Sequence, residues 1–239
     1  MAHKTTIDYL TTASTGDASD FGDLRTQTHM GSRDLGGANN LTYGAYFGGY
    51  KGSSGGYASD IEYVSIASTG NTQAWGELNT SGYECGGGSN ESRGLRFGGS
   101  GPSNVIEYWA WSSTGDASDF GNLTGTANAI CHNAAANATR VVTAGGQVSY
   151  RDVIEYITAD STGDASDFGD LIEGVYKLSA CSDGTRSEFV GGIKSDASYP
   201  NRISQDTIQY ITVASAGNAT DQGNLTDEIH GTQSGQGSA

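Results

Sequence analysis

Three aspartates in one short turn are the residues of this chain best suited to bind a metal ion. Asp17, Asp20 and Asp23 lie in the segment STGDASDFGD, and carboxylate oxygens are the ligands that Ca²⁺ prefers. The segment lacks the loop length and the bidentate glutamate of the common calcium motif. Asp beside Gly is also an ordinary turn composition, because the side chain bonds the local backbone. We predict a structural turn and no metal, with calcium binding as the alternative.

The aspartate turn belongs to a repeat. Five copies of one pattern, typified by IEYITADSTGDASDFGDL, begin at Ile7, Ile61, Ile106, Ile154 and Ile208. Successive copies lie 45 to 54 residues apart, a spacing typical of propellers and solenoids. Apolar residues alternate along the start of each copy, which predicts a β-strand. We therefore predict a single all-β domain over residues 1–239.

A second strand precedes each of the last four copies and ends in two glycines. The pairs are Gly48-Gly49, Gly98-Gly99, Gly145-Gly146 and Gly191-Gly192. Glycine pairs permit positive φ or the close approach of a neighbouring sheet. With the Ile-acid-Tyr strand and a short strand through Phe-Gly-Asp-Leu, each unit has four strands, as a propeller blade does. We predict that the closing blade is split between the termini, with the strand at Ile7 completing a blade begun after Leu225.

The glycine pair with a spaced Tyr and an aromatic residue resembles the repeat of kelch-like, galactose-oxidase-type β-propellers. In one unit these residues are Gly48-Gly49, Tyr63 and Trp75. The resemblance implies a β-propeller of about five four-stranded kelch-like blades. The pattern IEYITxxSTGDASDFGDL is also similar to repeats in virion and tail-associated proteins of marine tailed bacteriophages. That similarity implies a virion component.

The acid of the Ile-acid-Tyr strand is the natural candidate for acid–base chemistry. It is Asp8, Glu62, Glu107 or Glu155, with Gln209 in the last copy. Glycoside hydrolysis needs two non-equivalent carboxyl groups about 5–10 Å apart, whereas these acids are equivalent around a ring. We predict that they are scaffold residues and that no residue is catalytic. Each is expected to reach an arginine of a Gly-Gly strand, namely Arg93, Arg140 or Arg186.

Ligand contacts are expected where the repeat varies. The fifth residue after the final Leu of each unit is His29, Tyr83, Asn128, Tyr176 or His230. Variable loop residues on a rigid frame are typical of binding sites, and polar strand residues are the structural alternative. Trp109 and Trp111 lie on one face of a strand and could stack on sugar rings. Their counterparts in other units are apolar, which favours packing between blades.

The core is predicted to contain the Ile, Tyr and Leu of each unit and the aromatic residue of each last strand. Those aromatic residues are Phe21, Trp75, Phe120 and Phe168. The three cysteines, Cys85, Cys131 and Cys181, lie in different units and form no close pair. We predict that they are free thiols in the core, since neither zinc nor redox spacing is present.

The net charge of the chain limits the classes of molecule that it is expected to bind. The chain has 12 Lys and Arg against 27 Asp and Glu, a net charge of −15, which repels phosphate backbones and anionic lipid. Nucleic acid is therefore not an expected partner. Membrane insertion is not expected either, because no apolar run is long enough to span a bilayer. The first residues contain no apolar signal core, so we expect synthesis in a host cytoplasm without a signal peptide, followed by assembly into a virion.

The sequence contains no nucleophile elbow, P-loop, dinucleotide fingerprint or metalloprotease motif. We therefore expect a non-enzymatic phage virion or tail-associated propeller without a cofactor. Its role is structural or the binding of a host surface, including glycans, and its partners are other virion proteins or a host receptor. The alternative is a cellular lectin-like or protein-interaction propeller. A glycosidase or oxidase on the same fold is third, since fold does not fix chemistry.

Overall fold

The computed structural model of the protein is all-β. It describes residues 5–25, 35–51, 56–99, 103–125, 135–147, 150–195 and 202–229. Nineteen strands lie in these ranges and form one two-stranded hairpin and four larger antiparallel sheets. The four sheets have a propeller-like arrangement. Within the same ranges, no helix is long and apolar enough to cross a membrane.

The strands follow one another in sheet order through the first half of the chain. The N-terminal hairpin consists of β1 (Thr6–Tyr9) and β2 (Ser19–Asp23). Blade 1 consists of β3 (Gly36–Asn39), β4 (Tyr43–Phe47), β5 (Asp60–Ser65) and β6 (Gln73–Glu77). Blade 2 consists of β7 (Gly86–Ser89), β8 (Arg93–Phe97), β9 (Val105–Ala110) and β10 (Ser118–Asn122).

The second half repeats this order with one extra strand. Blade 3 consists of β11 (Ala135–Ala136), β12 (Arg140–Ala144), β13 (Val153–Thr158) and β14 (Ser166–Asp170). Blade 4 consists of β15 (Ser179–Ser182), β16 (Arg186–Val190), β17 (Ile193–Ser195), β18 (Arg202–Thr212) and β19 (Thr220–Ile229). The strand β17 pairs with the first residues of β18.

The prediction of five blades is wrong, because the structure has four. The two inner strands of each blade precede its Ile-acid-Tyr strand, so the blade that contains Ile208 is complete at Ile229. The copy at Ile7 instead forms the N-terminal hairpin, which corresponds to the outer half of a blade. The predicted split closing blade is therefore also wrong for the described residues, where β1 pairs with β2 alone.

In blades 1 to 3, the aromatic residue of the outer strand packs against the following blade. In blade 1 it is the extra residue of a β-bulge, since Ile61 faces Gly76 and Glu62 faces Ala74 across the pair. The ring of Trp75 is buried, and so are those of Phe120 and Phe168, as predicted. Phe21 of the N-terminal hairpin is only half-buried.

The predicted packing role of Trp109 and Trp111 is confirmed. Both belong to the buried cluster between blades 1 and 2. The ring of Trp109 lies 5.2 Å from that of Phe47, and the ring of Trp111 lies 5.5 Å from that of Trp75. Cys85 is buried in the same cluster, as predicted, whereas the prediction for Cys181 is wrong because that thiol is exposed. Cys131 lies outside the described residues.

Neighbouring units are joined at the outer rim by one recurring set of hydrogen bonds, which we call the rim joint. Between blades 1 and 2, the N–H groups of Gly115 and Ala117 donate to the carbonyls of Trp75 and Glu77, and the Glu77 N–H donates to Asp116 Oδ1. The other three joints repeat this pattern, with Asn71, Asp164 and Asn218 as the side-chain acceptors. The aspartate turn therefore holds blades together.

The ends of the strands define two faces. What we call the Asx face carries the turns between the first two strands of each blade and the loops that make the rim joints. What we call the Gly-Gly face carries the glycine pairs and the segments that run from one blade to the next. Both residues of all four glycine pairs have positive φ, which favours glycine.

Candidate functional site

In the four blades, the side chains of the second residue of the Ile-acid-Tyr strand bind the backbone of the segment that leaves the preceding unit. Each accepts a hydrogen bond from an amide one or two residues after a unit's final Leu, at 2.7 to 3.0 Å. The pairs are Glu62 with Arg25, Glu107 with Thr80, Glu155 with Thr124 and the amide of Gln209 with Ile172. These side chains are buried, and a buried carboxylate requires such partners. They fix the connections between units.

The predicted arginine partners of these acids are wrong. Glu107 pairs with Arg96 at 3.5 Å, with both side chains 1% exposed, and Glu155 pairs with Arg151 at 3.4 Å. Burial raises the pKa of Glu107, while the charge of Arg96 and the hydrogen bonds from Thr80 oppose that rise. Strand alternation predicted that the acids point away from Tyr but could not show which cation each would meet.

The arginines of the Gly-Gly strands lie over tyrosine rings instead. The guanidinium carbons of Arg93, Arg140 and Arg186 are 4.4, 4.6 and 3.8 Å from ring centres, those of Tyr108, Tyr156 and Tyr210. Arg93 and Arg140 also donate to a carbonyl of the next blade, that of Ala159 or Val213. In blade 1, Tyr43 takes this position and packs edge-on against Tyr63 at 5.3 Å. These cation–π contacts belong to the frame.

Two of the five predicted ligand-binding positions lie in the described residues, and both are on the Gly-Gly face. Tyr83 precedes blade 2 and is partly buried, whereas Tyr176 precedes blade 4 and is 1% exposed. His29, Asn128 and His230 lie outside the described residues. Each of the two tyrosines contacts a tyrosine of the preceding Gly-Gly loop: Tyr83 meets Tyr57 at 4.8 Å, and Tyr176 meets Tyr150 at 5.5 Å.

The pair next to blade 1 extends into a cluster of three tyrosines, which we call the tyrosine cluster. Tyr50 lies 5.8 Å from Tyr83 and 6.3 Å from Tyr57. The backbones of Tyr50 and Tyr57 form an antiparallel bridge just after Gly48-Gly49. Tyr57 is 42% exposed, so the cluster presents an aromatic surface to solvent. This opening distinguishes it from the Tyr150–Tyr176 pair, in which Tyr176 is buried and Tyr150 is half-buried.

Beside the tyrosine cluster, an ion pair links two segments that are far apart in sequence. Glu84 follows Tyr83 and Lys177 follows Tyr176, and Lys177 Nζ lies 2.7 Å from Glu84 Oε1. Both residues have positive φ, 52° and 56°, which is unfavourable for side chains other than Gly and Asn. Strained residues of this kind are enriched at functional sites. The pair brings the segments before blades 2 and 4 together on the Gly-Gly face.

The Asx face carries a shallow depression of about 600 Å³. Its lining includes the side chains of Tyr43, Arg93, Trp111 and Asp160. Arg93 and Trp111 are already held there, since each donates a hydrogen bond to a backbone carbonyl. Trp111 is 5% exposed. This depression is therefore made of frame residues that are committed to packing between blades.

The three aspartates considered for calcium are exposed and belong to the N-terminal hairpin and its turn. The carboxylate of Asp23 accepts a hydrogen bond from Thr5 Oγ1. In the part of the chain that the structure describes, no three His, Cys, Asp or Glu side chains converge on a position that could hold a metal ion. Asp17 is the counterpart of the rim-joint acceptors of the later units.

Two features of the site were missed from sequence. Tyr50 and Tyr57 do not lie at a repeated position of the unit, so nothing in the spacing of the repeat placed them beside Tyr83.

The frame also contains four Asx turns, in which an Asn or Asp side chain accepts hydrogen bonds from the N–H groups two and three residues further along the chain. These residues are Asn40, Asn90, Asn137 and Asp183. Each stands three residues before the Tyr or Arg of a Gly-Gly strand, a spacing that could have revealed them.

No protein-family model and no curated protein matches the chain. Function is therefore assigned from the geometry of the site, because a propeller can host many activities. Of the two faces, the Gly-Gly face combines a partly exposed cluster of aromatic rings with two charged residues at positive φ.

Proposed function

We propose that the protein is a non-enzymatic propeller that binds glycans on its Gly-Gly face. The observation that supports this is the tyrosine cluster, in which three rings lie within 6.3 Å of one another and Tyr57 is open to solvent. An aromatic face stacks on the apolar side of a sugar ring, and a phenol hydroxyl bonds to sugar hydroxyls. Tyrosine also supplies a large contact area at a low cost in side-chain entropy.

The finer proposal is that this binding serves a tailed phage. The similarity of the repeat to those of virion and tail-associated proteins supports it, as does the resemblance to kelch-like units. On a virion, such a propeller presents loops to a host surface. Mass spectrometry of purified phage particles is expected to find the chain among the virion proteins. Its absence from particles, together with glycan binding, would favour the cellular lectin-like alternative.

A glycan array compares three forms of the protein. The wild type is expected to bind one or more surface glycans, and Tyr57→Ser is expected to lose at least about tenfold in affinity, the effect of removing one well-placed aromatic contact. Tyr9→Ser is the matched control, because Tyr9 is also 42% exposed but lies on the N-terminal hairpin. Equal loss in both variants, or no binding by the wild type, would contradict the proposal.

The non-enzymatic part of the proposal needs its own test. The chain is incubated with fluorescently labelled polysaccharides that the array identifies, and the products are separated by size. We expect the labelled chains to keep their length. Time-dependent shortening or oxidation of the polysaccharide would instead support the glycosidase or oxidase alternative.

A further inference from the structure

We propose that copies of this chain associate head to tail through a fifth rim joint. In this joint the loop at 16–18 of one copy docks on the strand at 222–224 of a second copy. The inference is independent of the proposed glycan binding, because it concerns the outer rim and its loops on the Asx face, not the Gly-Gly face. Its support comes from the four rim joints already present within one chain.

Those four joints define the chemistry of the fifth. In each, the loop glycine and the residue two positions on donate N–H groups to two carbonyls of the preceding outer strand, at 2.7 to 2.9 Å. In return, the loop Asp or Asn accepts an N–H from that strand at 2.9 to 3.1 Å. By this pattern, the N–H groups of Gly16 and Ala18 would donate to the backbone carbonyls of Gln222 and Asn224. The carboxylate of Asp17 would accept a hydrogen bond from the N–H of Asn224.

Both halves of a fifth joint are present and open. The residues 16–18 are exposed on the N-terminal hairpin, and Gln222 and Asn224 are exposed on β19. Among the described residues, no hydrogen bond joins this hairpin to blade 4. The loop of one copy is therefore available to the strand of another.

Glycines of the outer strands add a steric observation. A Cβ at Gly76 or Gly121 would collide with the carbonyl of the loop glycine that docks there, Gly115 or Gly163. The joint therefore requires a glycine on the strand. Blade 4 has Gly223 at this position, and a Cβ there would meet nothing within 4 Å. The space that a docking loop fills at the other joints is open beside Gly223.

The fifth joint differs from the others in lacking an aromatic contact. Trp75, Phe120 and Phe168 pack under the next blade at three of the joints, whereas blade 4 has the exposed Gln222.

Two copies, each with a net charge of −15, also repel each other. We expect a weak, reversible association that strengthens with salt, because ions screen the repulsion. Such a head-to-tail contact is heterologous and can extend into chains.

The test is sedimentation velocity of the purified chain over a range of concentrations, at low and high salt. The wild type is expected to form dimers and longer chains. Asp17→Ala is expected to weaken association about tenfold, the loss of one hydrogen bond to a charged acceptor. Asp17→Asn is the matched control and should associate at least as well as the wild type, because Asn71 and Asn218 already serve as acceptors. Gln222→Phe should strengthen association by more than tenfold.

Circular dichroism confirms that each variant is folded, which is expected because both substituted residues are exposed. Monomers of the wild type and of Gln222→Phe at every concentration and salt would overturn the proposal. An equal loss in Asp17→Ala and Asp17→Asn would also overturn it. A Gln222→Phe variant that melts at a higher temperature yet stays monomeric would show that the joint closes within one chain, which contradicts association between copies.

Discussion

On the Asx face and its rim the same contacts are made four times, whereas on the Gly-Gly face the contacts among tyrosines differ from one unit to the next. Every Asx turn has the same two backbone donors, and every rim joint has the same three hydrogen bonds. The Gly-Gly face instead has a cluster of three tyrosines beside blade 1 and one tyrosine pair between blades 3 and 4, in which Tyr176 is buried.

Under the proposed function, this difference separates residues that stabilise the fold from residues that bind a ligand. A contact that every blade makes contributes to the frame, and packing sets the types of the residues that make it. The Gly-Gly face holds Glu84 and Lys177 at positive φ, a conformation that costs stability. Substitutions should therefore affect unfolding on the rim and affect binding on the Gly-Gly face.

The largest effect is expected at the rim. Phe120→Ala should lower the free energy of unfolding by about 3–5 kcal/mol, because the ring is buried against blade 3 and its loss leaves a cavity. Gln222→Ala, at the equivalent exposed position, should change it by less than about 0.5 kcal/mol. Urea unfolding followed by fluorescence measures both. A loss under about 1 kcal/mol for Phe120→Ala would remove this ring from the core.

The next effect is expected at the buried ion pair. Arg96→Met removes the counter-charge of Glu107 and leaves that carboxyl group buried, which should cost about 3 kcal/mol at neutral pH. Arg151→Met is the control, since the Arg151 side chain of the Glu155 pair is 14% exposed, and it should cost less. An equal cost for both would show that burial does not set the value of the ion pair.

The carboxyl group of Glu107 predicts a pH dependence, which the neutral variant Glu107→Gln isolates. Burial raises the folded-state pKa of Glu107, so the folded state holds that proton more tightly than the unfolded state does. The contribution of Glu107 is then fully present below its unfolded pKa and is lost as pH rises through its folded pKa. The stability advantage of the wild type over Glu107→Gln should shrink across that range. An advantage that grows with pH would contradict the assigned direction.

A smaller effect is expected at the Asx turns. Asn90→Ala removes the acceptor for two backbone N–H groups at a buried turn, and should cost about 1–2 kcal/mol. Asp183→Ala makes the same change at an exposed turn, where water can replace the side chain, and should cost less. Thermal unfolding of both variants measures the difference. Equal shifts in melting temperature would show that burial does not set the value of the turn.

The smallest effect on stability is expected on the Gly-Gly face. Glu84→Gly relieves the strain of positive φ but removes the ion pair with Lys177, so the two changes should nearly cancel, within about 0.5 kcal/mol. Glycan binding should nevertheless fall if this pair orders the segment that carries Tyr83. A large loss of stability would assign Glu84 to the frame instead.

The repeat made part of the fold predictable. Alternation predicted a strand at the start of each copy, and three of these strands in the blades begin one residue before the Ile, whereas β18 begins earlier, at Arg202. The five Ile anchors misled the count of blades, whereas the glycine pairs give the right number, because a glycine-pair strand precedes only the last four copies. The partners of the acids were also hidden, since they are backbone amides rather than the expected arginines.

The candidate site was predictable only in part. The variable fifth position after each Leu led to Tyr83 and Tyr176, and both lie on the Gly-Gly face. Tyr50 and Tyr57 reach Tyr83 through a loop whose path depends on tertiary contacts. The positive φ of Glu84 could not be read from its residue type, because Glu does not favour that conformation.

The most direct test of the central claim, that binding lies on the Gly-Gly face, is fluorine NMR of the protein labelled with 3-fluorotyrosine. An oligosaccharide that binds on the array is titrated into the sample, and single Tyr→Phe variants assign the resonances. We predict shifts for Tyr50, Tyr57 and Tyr83 and none for Tyr9 or for Tyr43 of the Asx-face depression. Shifts at Tyr43 or Tyr9 with the tyrosine cluster unchanged would contradict the claim.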